Sequence, residues 1–394
     1  MKFIFLPFLI MFAIGTDTFI VSPLLPTLKS DLSISPEHLG WVVGAYAIGY
    51  AMFAIFIGPL SDGWNRKKVL LFGLISFAAS TMLCGIAFNE WSIITFRLLA
   101  GICAAMVAPQ VWALVPTLVA PKDIVKGMGI AAAGLSTAQF LGVPLGSYLA
   151  INHWSTPFFV LGTFSFVLLI LSYLYLPTPI TPQNQAANLW ARYRQLFTSK
   201  QSVPSFLAYL LFQIGNFASF SLIGMVLHDY YHLTLFGIGT AMMILGIGNL
   251  IGSFISSNLA KKLELKTLFS YGIFSLVFLY IILSQLPVIP VFIICFLFVF
   301  TLGGILFPFM MSSLQSINPS LKGTISSLAS ATMYGGAFVG STASGWLYHA
   351  YHGYPIVGYL TIVFFLISII FYRKSNFIIK KNDVVVSCVC KNEI

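Results

Sequence analysis

Charged residues are the scarcest class in this chain. Asp, Glu, Lys and Arg make up 8% of its 394 residues, while hydrophobic residues make up 58% and the mean hydropathy is +0.94. A soluble domain carries roughly 25% charged residues, because its surface must meet water. The composition therefore excludes a soluble globular fold, and the short loops leave no room for a large catalytic unit outside the membrane.

Acidic residues are fewer than basic ones, with 10 Asp and Glu against 20 Lys and Arg, and the net charge is +10. The bases lie in alternate loops and form no single basic face, so the excess does not indicate nucleic-acid binding. The 5 cysteines have neither a disulfide-framework spacing nor a zinc-ligand spacing. Cys388 and Cys390 could bind a metal, but an unpaired cytosolic tail is the favoured interpretation.

Long apolar runs are abundant instead, and each has roughly the 20 residues that one bilayer crossing needs. The sequence predicts an all-α membrane protein with 12 transmembrane helices. They are expected at residues 3–28, 38–60, 69–88, 91–118, 128–151, 157–177, 204–228, 235–259, 267–286, 290–314, 324–349 and 355–372.

Basic residues give the expected orientation. With a cytoplasmic N-terminus, every Lys and Arg outside the spans except Lys29 lies on the cytoplasmic side, and only Arg97 lies within a span. Lys and Arg near span ends are retained on that side of the membrane. We therefore expect a multi-pass protein of the cell (inner) membrane with both termini in the cytoplasm.

One sustained polar stretch divides the predicted helices into two sets of six. The expected domains are an N-terminal bundle at 1–177, a cytoplasmic linker at 178–203, a C-terminal bundle at 204–372 and a cytoplasmic tail at 373–394. The bundles repeat weakly, since Ile14-Gly-Thr matches Ile214-Gly-Asn and Lys126-Gly matches Lys322-Gly at similar offsets. Duplicated halves with a cavity at their interface are a common transporter architecture.

The most specific motif is the loop after the second span, Gly58-Pro-Leu-Ser-Asp62-Gly-Trp-Asn-Arg66-Lys67-Lys68. It resembles the signature loop of the major facilitator superfamily, and the whole chain is similar to the twelve-helix drug:proton antiporter group within it. The resemblance implies that Gly58, Asp62, Arg66 and Lys67 form a cytoplasmic gate that is broken and remade between states. The alternative is that the bases only set the orientation.

The first span contains Ile14-Gly-Thr-Asp17 and ends in Pro23-Leu-Leu-Pro26, which is similar to the first-helix motif of that group. Pro23 and Pro26 remove backbone donors and should bend the outer end of the helix. Asp17 is the one acid deep within a predicted span, where a carboxylate must be paired, protonated or facing water. We expect it to exchange protons; the alternative is a structural partner for Arg97.

The fourth and fifth spans carry further motifs of the same resemblance. Arg97-Leu-Leu-Ala-Gly101 is similar to the fourth-helix motif, which implies that Arg97 takes part in proton coupling unless it extends to the outer surface. Gly101 allows tight helix packing. The fifth span matches the antiporter signature only in part, since it has the small residues and the proline but not the full pattern, in Gly142-Val-Pro144-Leu-Gly146. A hinge or a tight helix contact is therefore expected there.

Neutral polar residues within spans should face the protein interior, because exposing them to lipid is costly. They give a candidate substrate cavity or, alternatively, structural hydrogen bonds between helices, at Tyr46, Tyr50, Gln110, Gln139, Gln213, Asn216 and Asn249. The six histidines fall at predicted outer loops or span ends, where a pH sensor is conceivable, and no metal site is expected.

These features favour a proton-coupled exporter of small amphipathic compounds that works by alternating access. We expect no catalytic residues and no cofactor, since the proton gradient supplies the energy. The expected partners are a small-molecule substrate, protons and the lipid bilayer, with no nucleic acid, and the expected state is a monomer. Two alternatives are a specific permease for a sugar, purine, amino acid or siderophore and, more remotely, a membrane sensor that transports nothing.

Overall fold

The computed structural model describes residues 5–61, 65–119, 124–177, 189–262, 265–318, 321–351 and 353–375, and these ranges are helical with no β-strand. The helices of the first half are α1 Phe5–Phe19, α2 Val21–Asp31, α3 Leu39–Ser61, α4 Arg66–Gly85, α5 Glu90–Leu118, α6 Ile124–Thr137, α7 Val143–Leu149 and α8 Thr156–Tyr175. The remaining helices are α9 Leu189–Phe197, α10 Ser202–Ser221, α11 Ile223–Asp229, α12 Leu235–Lys262, α13 Leu265–Leu283, α14 Ile289–Ser316, α15 Lys322–Ala350 and α16 Tyr354–Lys374.

The helices coincide with the predicted apolar runs. Within the described ranges, 9 helical segments are long and apolar enough to cross a membrane, or up to 10 if the bent pair α1 and α2 forms one span. The shorter apolar helix Thr267–Leu283 and the 29-residue α15, which is rich in small residues, occupy the other two predicted spans. The all-α membrane fold is confirmed. The predicted linker contains one helix that the sequence analysis did not include, α9.

The first span is broken near its predicted outer end. Helices α1 and α2 meet at Ile20 with a bend of 46°. Pro23 has no N–H to donate to the carbonyl of Phe19 four residues earlier, and its ring crowds that carbonyl, so the regular helix cannot continue. A second break lies at Leu222, between α10 and α11, where no proline is present.

The fifth span changes its helical pitch in the middle. Residues Ala138–Gly142 form a π-helical segment between α6 and α7, and Pro144 follows directly in the first turn of α7. A proline removes a helix donor, and one extra residue in the turn is a common way to accommodate it. This segment places its backbone against α1 on one side and α12 on the other.

The two halves use the same helix pairings. In the first half α1 packs on α6 and α8, and α5 on α3 and α4; in the second half α10 packs on α15 and α16, and α14 on α12 and α13. The repeat extends to single residues: Gly134 of α6 packs on the backbone of Phe8 and Phe12, and Gly336 of α15 packs on the backbone of Leu210 and Ile214. Each residue of the second half lies 202 positions after its counterpart in the first half: Gly336 after Gly134, Leu210 after Phe8 and Ile214 after Phe12. The predicted domain boundaries stay predictions.

In the described ranges, the halves meet along a seam formed mainly by α3 with α15, by α7 and the π-helical segment with α12, and by α2 with α11, with smaller contacts of α12 on α2 and α6. The α2–α11 pair brings the two helix breaks together. Ser22 Oγ donates to the carbonyls of Phe220 (2.8 Å) and Ser221 (3.1 Å), and a side chain at Gly224 would overlap the carbonyl oxygen of Ser22. The halves are therefore closed against each other at the predicted outer end.

Candidate functional site

A buried ion pair joins two helices of the first half. Asp17 lies in the last turn of α1 and Arg97 in α5, and both side chains are 0% exposed. Arg97 Nη1 donates to Asp17 Oδ2 (3.0 Å), and Nη2 donates to the Asp17 backbone carbonyl (3.1 Å). Carbonyls in the last turn of a helix lack helical donors, so the break after α1 makes this second contact available.

The ion pair engages only one of the two carboxylate oxygens. Among the described residues, Asp17 Oδ1 and Arg97 Nε are buried without a hydrogen bond of ordinary geometry; the Thr81 hydroxyl, which also lacks such a bond, lies close to Asp17, and the Cys84 thiol lies close to Arg97. Buried polar atoms in native proteins are nearly always hydrogen-bonded, so an orphaned carboxylate oxygen requires an explanation. Protonation of this oxygen would turn an acceptor without a donor into a neutral carboxylic acid.

Aromatic and small polar groups surround the pair. The Arg97 guanidinium lies over the Tyr46 ring at 4.4 Å from its centroid, and Thr18 Oγ1 donates to the Tyr46 hydroxyl (3.1 Å). Thr81 and Cys84 of α4 face the same pair. Arg97 is thus held by charge on one side and by the electron-rich ring face on the other.

A tyrosine of the second half, which the sequence analysis did not single out, completes the cluster. Tyr334 of α15 stacks on Tyr50 with ring centroids 3.8 Å apart and an interplanar angle of 25°, and it lies 6.2 Å from the Tyr46 ring. Its one sequence signal is that it is the only aromatic residue between Lys322 and Ala337. The structure therefore brings the predicted residues Asp17, Arg97, Tyr46 and Tyr50 together beside the seam between the halves.

The predicted amides are more dispersed. Gln110 of α5 is 0% exposed, and both atoms of its amide lack a hydrogen-bond partner among the described residues. Gln213 of α10 is buried beside the Tyr209 hydroxyl. Gln139 in the π-helical segment, Asn216 in α10 and Asn249 in α12 are half-buried.

The predicted packing residues lie at close backbone contacts. A side chain at Gly101 would overlap the Tyr46 carbonyl, so this glycine lets α5 approach α3 and brings Arg97 to the Tyr46 ring. Side chains at Gly142 and Gly146 would overlap Thr16 and Ile20 of the broken first span. Pro144 is buried in α7, and Pro23 and Pro26 are buried in α2.

The signature loop is described in part. Gly58 belongs to α3, whereas Asp62 lies outside the described residues. Arg66 begins α4, whose first turn is capped by Asn65 accepting from the backbone N–H groups of Lys67 (3.1 Å) and Lys68 (3.2 Å). Lys67 Nζ donates to the carbonyls of Tyr173 and Leu176 at the end of α8, so this base ties the loop to the sixth span.

Three of the five described histidines lie near acids at helix ends, whereas His153 contacts the Ser155 hydroxyl (2.8 Å). His38 lies 3.3 Å from Glu90, His228 lies 2.9 Å from Asp229, and His349 lies 3.9 Å from Glu37. Within the described ranges, no group of three or more His, Cys, Asp or Glu side chains could hold a metal ion. His352, Cys388 and Cys390 lie outside those ranges.

Two sets of helices with matching pairings, joined at a seam beside a buried ion pair, are an arrangement typical of membrane transporters built from repeats. The chain belongs to the Major Facilitator Superfamily, whose family model matches residues 7–341. The uncharacterized MFS-type transporter YceJ of Bacillus subtilis (strain 168) is 46% identical to it over 376 residues, which are 95% of this chain and 96% of YceJ.

Further similarities support this assignment. Multidrug resistance protein 1 of Bacillus subtilis (strain 168) is 30% identical over 239 residues, which are 59% of this chain and 60% of that protein. The inward-facing, unoccupied crystal structure of a bacterial homolog of the human lysosomal transporter Spinster matches with a TM-score of 0.74 and 16% identity, covering 95% of this chain and 96% of that one. The protein is therefore a multi-span membrane transporter and not an enzyme.

Proposed function

We propose that this transporter exports small amphipathic compounds in exchange for protons, by alternating access, as a multi-pass protein of the cell (inner) membrane. The observation that carries the proposal is the carboxylate of Asp17, which is fully buried, paired with Arg97 through Oδ2, and without a hydrogen bond of ordinary geometry to a described residue at Oδ1. Arginine does not release its proton in proteins, so Asp17 is the member of the pair that can exchange one.

Proton exchange at this site would change the balance of charge in the interior. A proton bound at Oδ1 neutralises Asp17 and removes the ion pair, while Arg97 keeps its charge and its contact with the Asp17 carbonyl. A buried charge without its partner is unfavourable by several kcal/mol. The protonated state therefore favours a different arrangement of the surrounding helices, and the proton gradient supplies the energy without a cofactor.

The interior chemistry supports an amphipathic substrate. Tyrosine rings at the seam can stack on an apolar ligand and offer hydroxyls at their edges. The similarity to a protein named for multidrug resistance is consistent with this class, over 59% of the chain. Asp62, Arg66 and Lys67 are proposed to form the cytoplasmic gate.

A specific permease or exporter for one metabolite is the second candidate, and one observation favours it. Gln110 is fully buried with neither amide atom hydrogen-bonded to a described residue. A buried amide of this kind would select a substrate that supplies both a donor and an acceptor. Flux measured over a panel of drugs and metabolites separates the two candidates.

Proteoliposomes with an imposed pH gradient test the proton coupling. We expect Asp17→Asn to lose proton-driven efflux, because the amide cannot exchange a proton, while the protein still reaches the membrane. Asp229→Asn is the matched control, since Asp229 is an exposed acid in the second half. Undiminished efflux with a normal pH dependence in Asp17→Asn would reject the assignment.

A further inference from the structure

We infer that Tyr334 is a positioning residue that couples the charge state of Asp17 to the contact between the two halves. The path runs from Asp17 through Arg97 and Tyr46 to the Tyr50–Tyr334 ring pair. The inference rests on the proposed proton coupling and adds the structural step by which the second half responds to it.

The first step of the path is that Asp17 and Tyr46 both contact Arg97. Its guanidinium contacts Asp17 at 3.0 Å and the Tyr46 ring at 4.4 Å. When Asp17 becomes neutral, the electrostatic attraction on one side is lost and the ring face becomes the main partner of the charge. Arg97 and Tyr46 then have a different preferred geometry.

The second step crosses the seam. Tyr46 and Tyr50 are four residues apart on α3 and therefore lie on the same helix face. Tyr334 of α15 is in reach of both rings, at 6.2 Å from Tyr46 and 3.8 Å from Tyr50. All three rings are buried, and a close-packed interior cannot absorb a displacement of Tyr46 without moving its neighbours.

The rest of the α3–α15 seam explains why Tyr334 has this role. Toward the predicted outer end, Gly40 and Gly44 of α3 pack on Ser341 and Thr342 of α15, and Phe338 of α15 lies beside Gly44 and Trp41. Farther along, Ser327 Oγ donates to the Ala54 carbonyl (3.2 Å). Tyr334 is a large side chain from the second half that lies near the ion pair.

The charged and titratable groups that face Asp17 come from several helices. Arg97 faces it from α5, Cys84 from α4, Tyr46 from α3 and Tyr334 from α15. The proton exchange is assigned to Asp17, which alone among these groups is a carboxylate. Tyr334 therefore acts on the response to the proton, through ring contact, rather than by carrying the proton.

The test removes the ring and leaves a smaller apolar side chain in its place. Tyr334→Leu should lower the maximal efflux rate in proteoliposomes roughly threefold to tenfold, because a stacked aromatic pair is worth about 0.5–1.5 kcal/mol beyond its buried area. The dependence of efflux on pH should flatten, and this change is the readout that loss of a substrate contact alone would not produce. Tyr334→Phe keeps the ring and should restore both the rate and the pH profile.

Tyr280→Leu is the matched control. Tyr280 is an equally buried tyrosine of the second half, but its ring contacts Phe296 and Phe365, away from the seam. This variant should lower thermal stability and leave the pH profile unchanged. If Tyr334→Leu is not recovered as folded protein, Tyr50→Leu removes the other ring of the stacked pair and carries the same expectation.

The outcomes separate the two proposals. Proton-driven efflux that survives in Asp17→Asn overturns the proposed function, whatever the tyrosine variants do. Loss of efflux in Asp17→Asn, together with a wild-type pH profile in both Tyr334→Leu and Tyr50→Leu, overturns only the coupling path. A flattened pH profile in Tyr334→Leu that Tyr334→Phe restores supports the path.

Discussion

At the scale of single residues, Arg97 and Asp17 depend on each other for burial. Arg97→Gln would leave a carboxylate fully buried without its counter-charge, and removing one partner of a buried pair typically destabilises a protein by about 3–5 kcal/mol. The double variant Asp17→Asn/Arg97→Gln removes both charges, so we expect it to recover much of that loss. Thermal unfolding of the purified variants measures the difference.

The stabilities of Arg97→Gln and of the double variant can also contradict this expectation. A double variant no more stable than Arg97→Gln alone would show that the two charges do not stabilise each other in the folded protein. Asp229→Asn is again a suitable control, because the exposed Asp229 lies outside the buried pair.

Asp17 and Arg97 could be predicted as functional residues from the sequence, but the residues that surround them in the structure could not. A single acid and a single base within apolar spans carry a strong signal, since each is costly in lipid and must find a partner or water. Tyr334 carries almost no such signal, because an aromatic residue in a membrane helix is ordinary. Its significance comes from a ring contact across the seam, which depends on the relative placement of helices far apart in the chain.

At the scale of helices, Gly101 sets the distance between α3 and α5. A Cβ at this position would overlap the Tyr46 carbonyl, so Gly101→Ala should push the helices apart and weaken the contact of Arg97 with the Tyr46 ring. Gly303 of α14 is the matched control, because nothing lies within 4 Å of a Cβ there. Gly303→Ala should be neutral or stabilising by roughly 0.5–1 kcal/mol, since glycine is the poorer helix former.

Thermal unfolding and proton-driven efflux measured side by side on the two alanine variants test this expectation. Equal stability of Gly101→Ala and Gly303→Ala would contradict the assigned close approach of α3 and α5.

Helix breaks were predictable only where a proline causes them. The bend at Ile20 follows from Pro23, whose missing donor can be read from the sequence. The break at Leu222 has no such residue and instead lies where α10 and α11 pack against the break in the first span. The second break coincides with this tertiary contact, which the local sequence does not reveal.

At the scale of the whole molecule, the internal repeat was easier to predict from the sequence than the contact between the two halves. The matched motifs indicated a duplication, but at offsets of 200 and 196 they are out of register with the structural repeat, in which Ile214 corresponds to Phe12 at an offset of 202. The seam could not be read from the sequence, because it combines close glycine contacts with aromatic pairs such as Tyr50–Tyr334 and Tyr148–Phe236, neither of which is distinctive in a membrane helix. The cluster around Asp17 is asymmetric within this repeat: 202 positions on from Asp17 is Ser219, which is hydrogen-bonded to the Tyr354 hydroxyl (2.6 Å).

The closed contact between α2 and α11 gives a prediction about the two halves. Gly224→Ala places a methyl group against the Ser22 carbonyl oxygen, where no space exists, so the closed contact at the predicted outer end is disfavoured. Alternating access requires two arrangements of nearly equal free energy, and a penalty on one of them shifts the population to the other.

Gly237→Ala, whose Cβ would make only ordinary contacts with Leu233, is the control. Spin labels at the exposed Ser30 and Tyr230, in a background without native cysteines, report the separation of α2 and α11. We expect longer distances in Gly224→Ala than in Gly237→Ala, and identical distributions would contradict the view that this contact holds the halves closed.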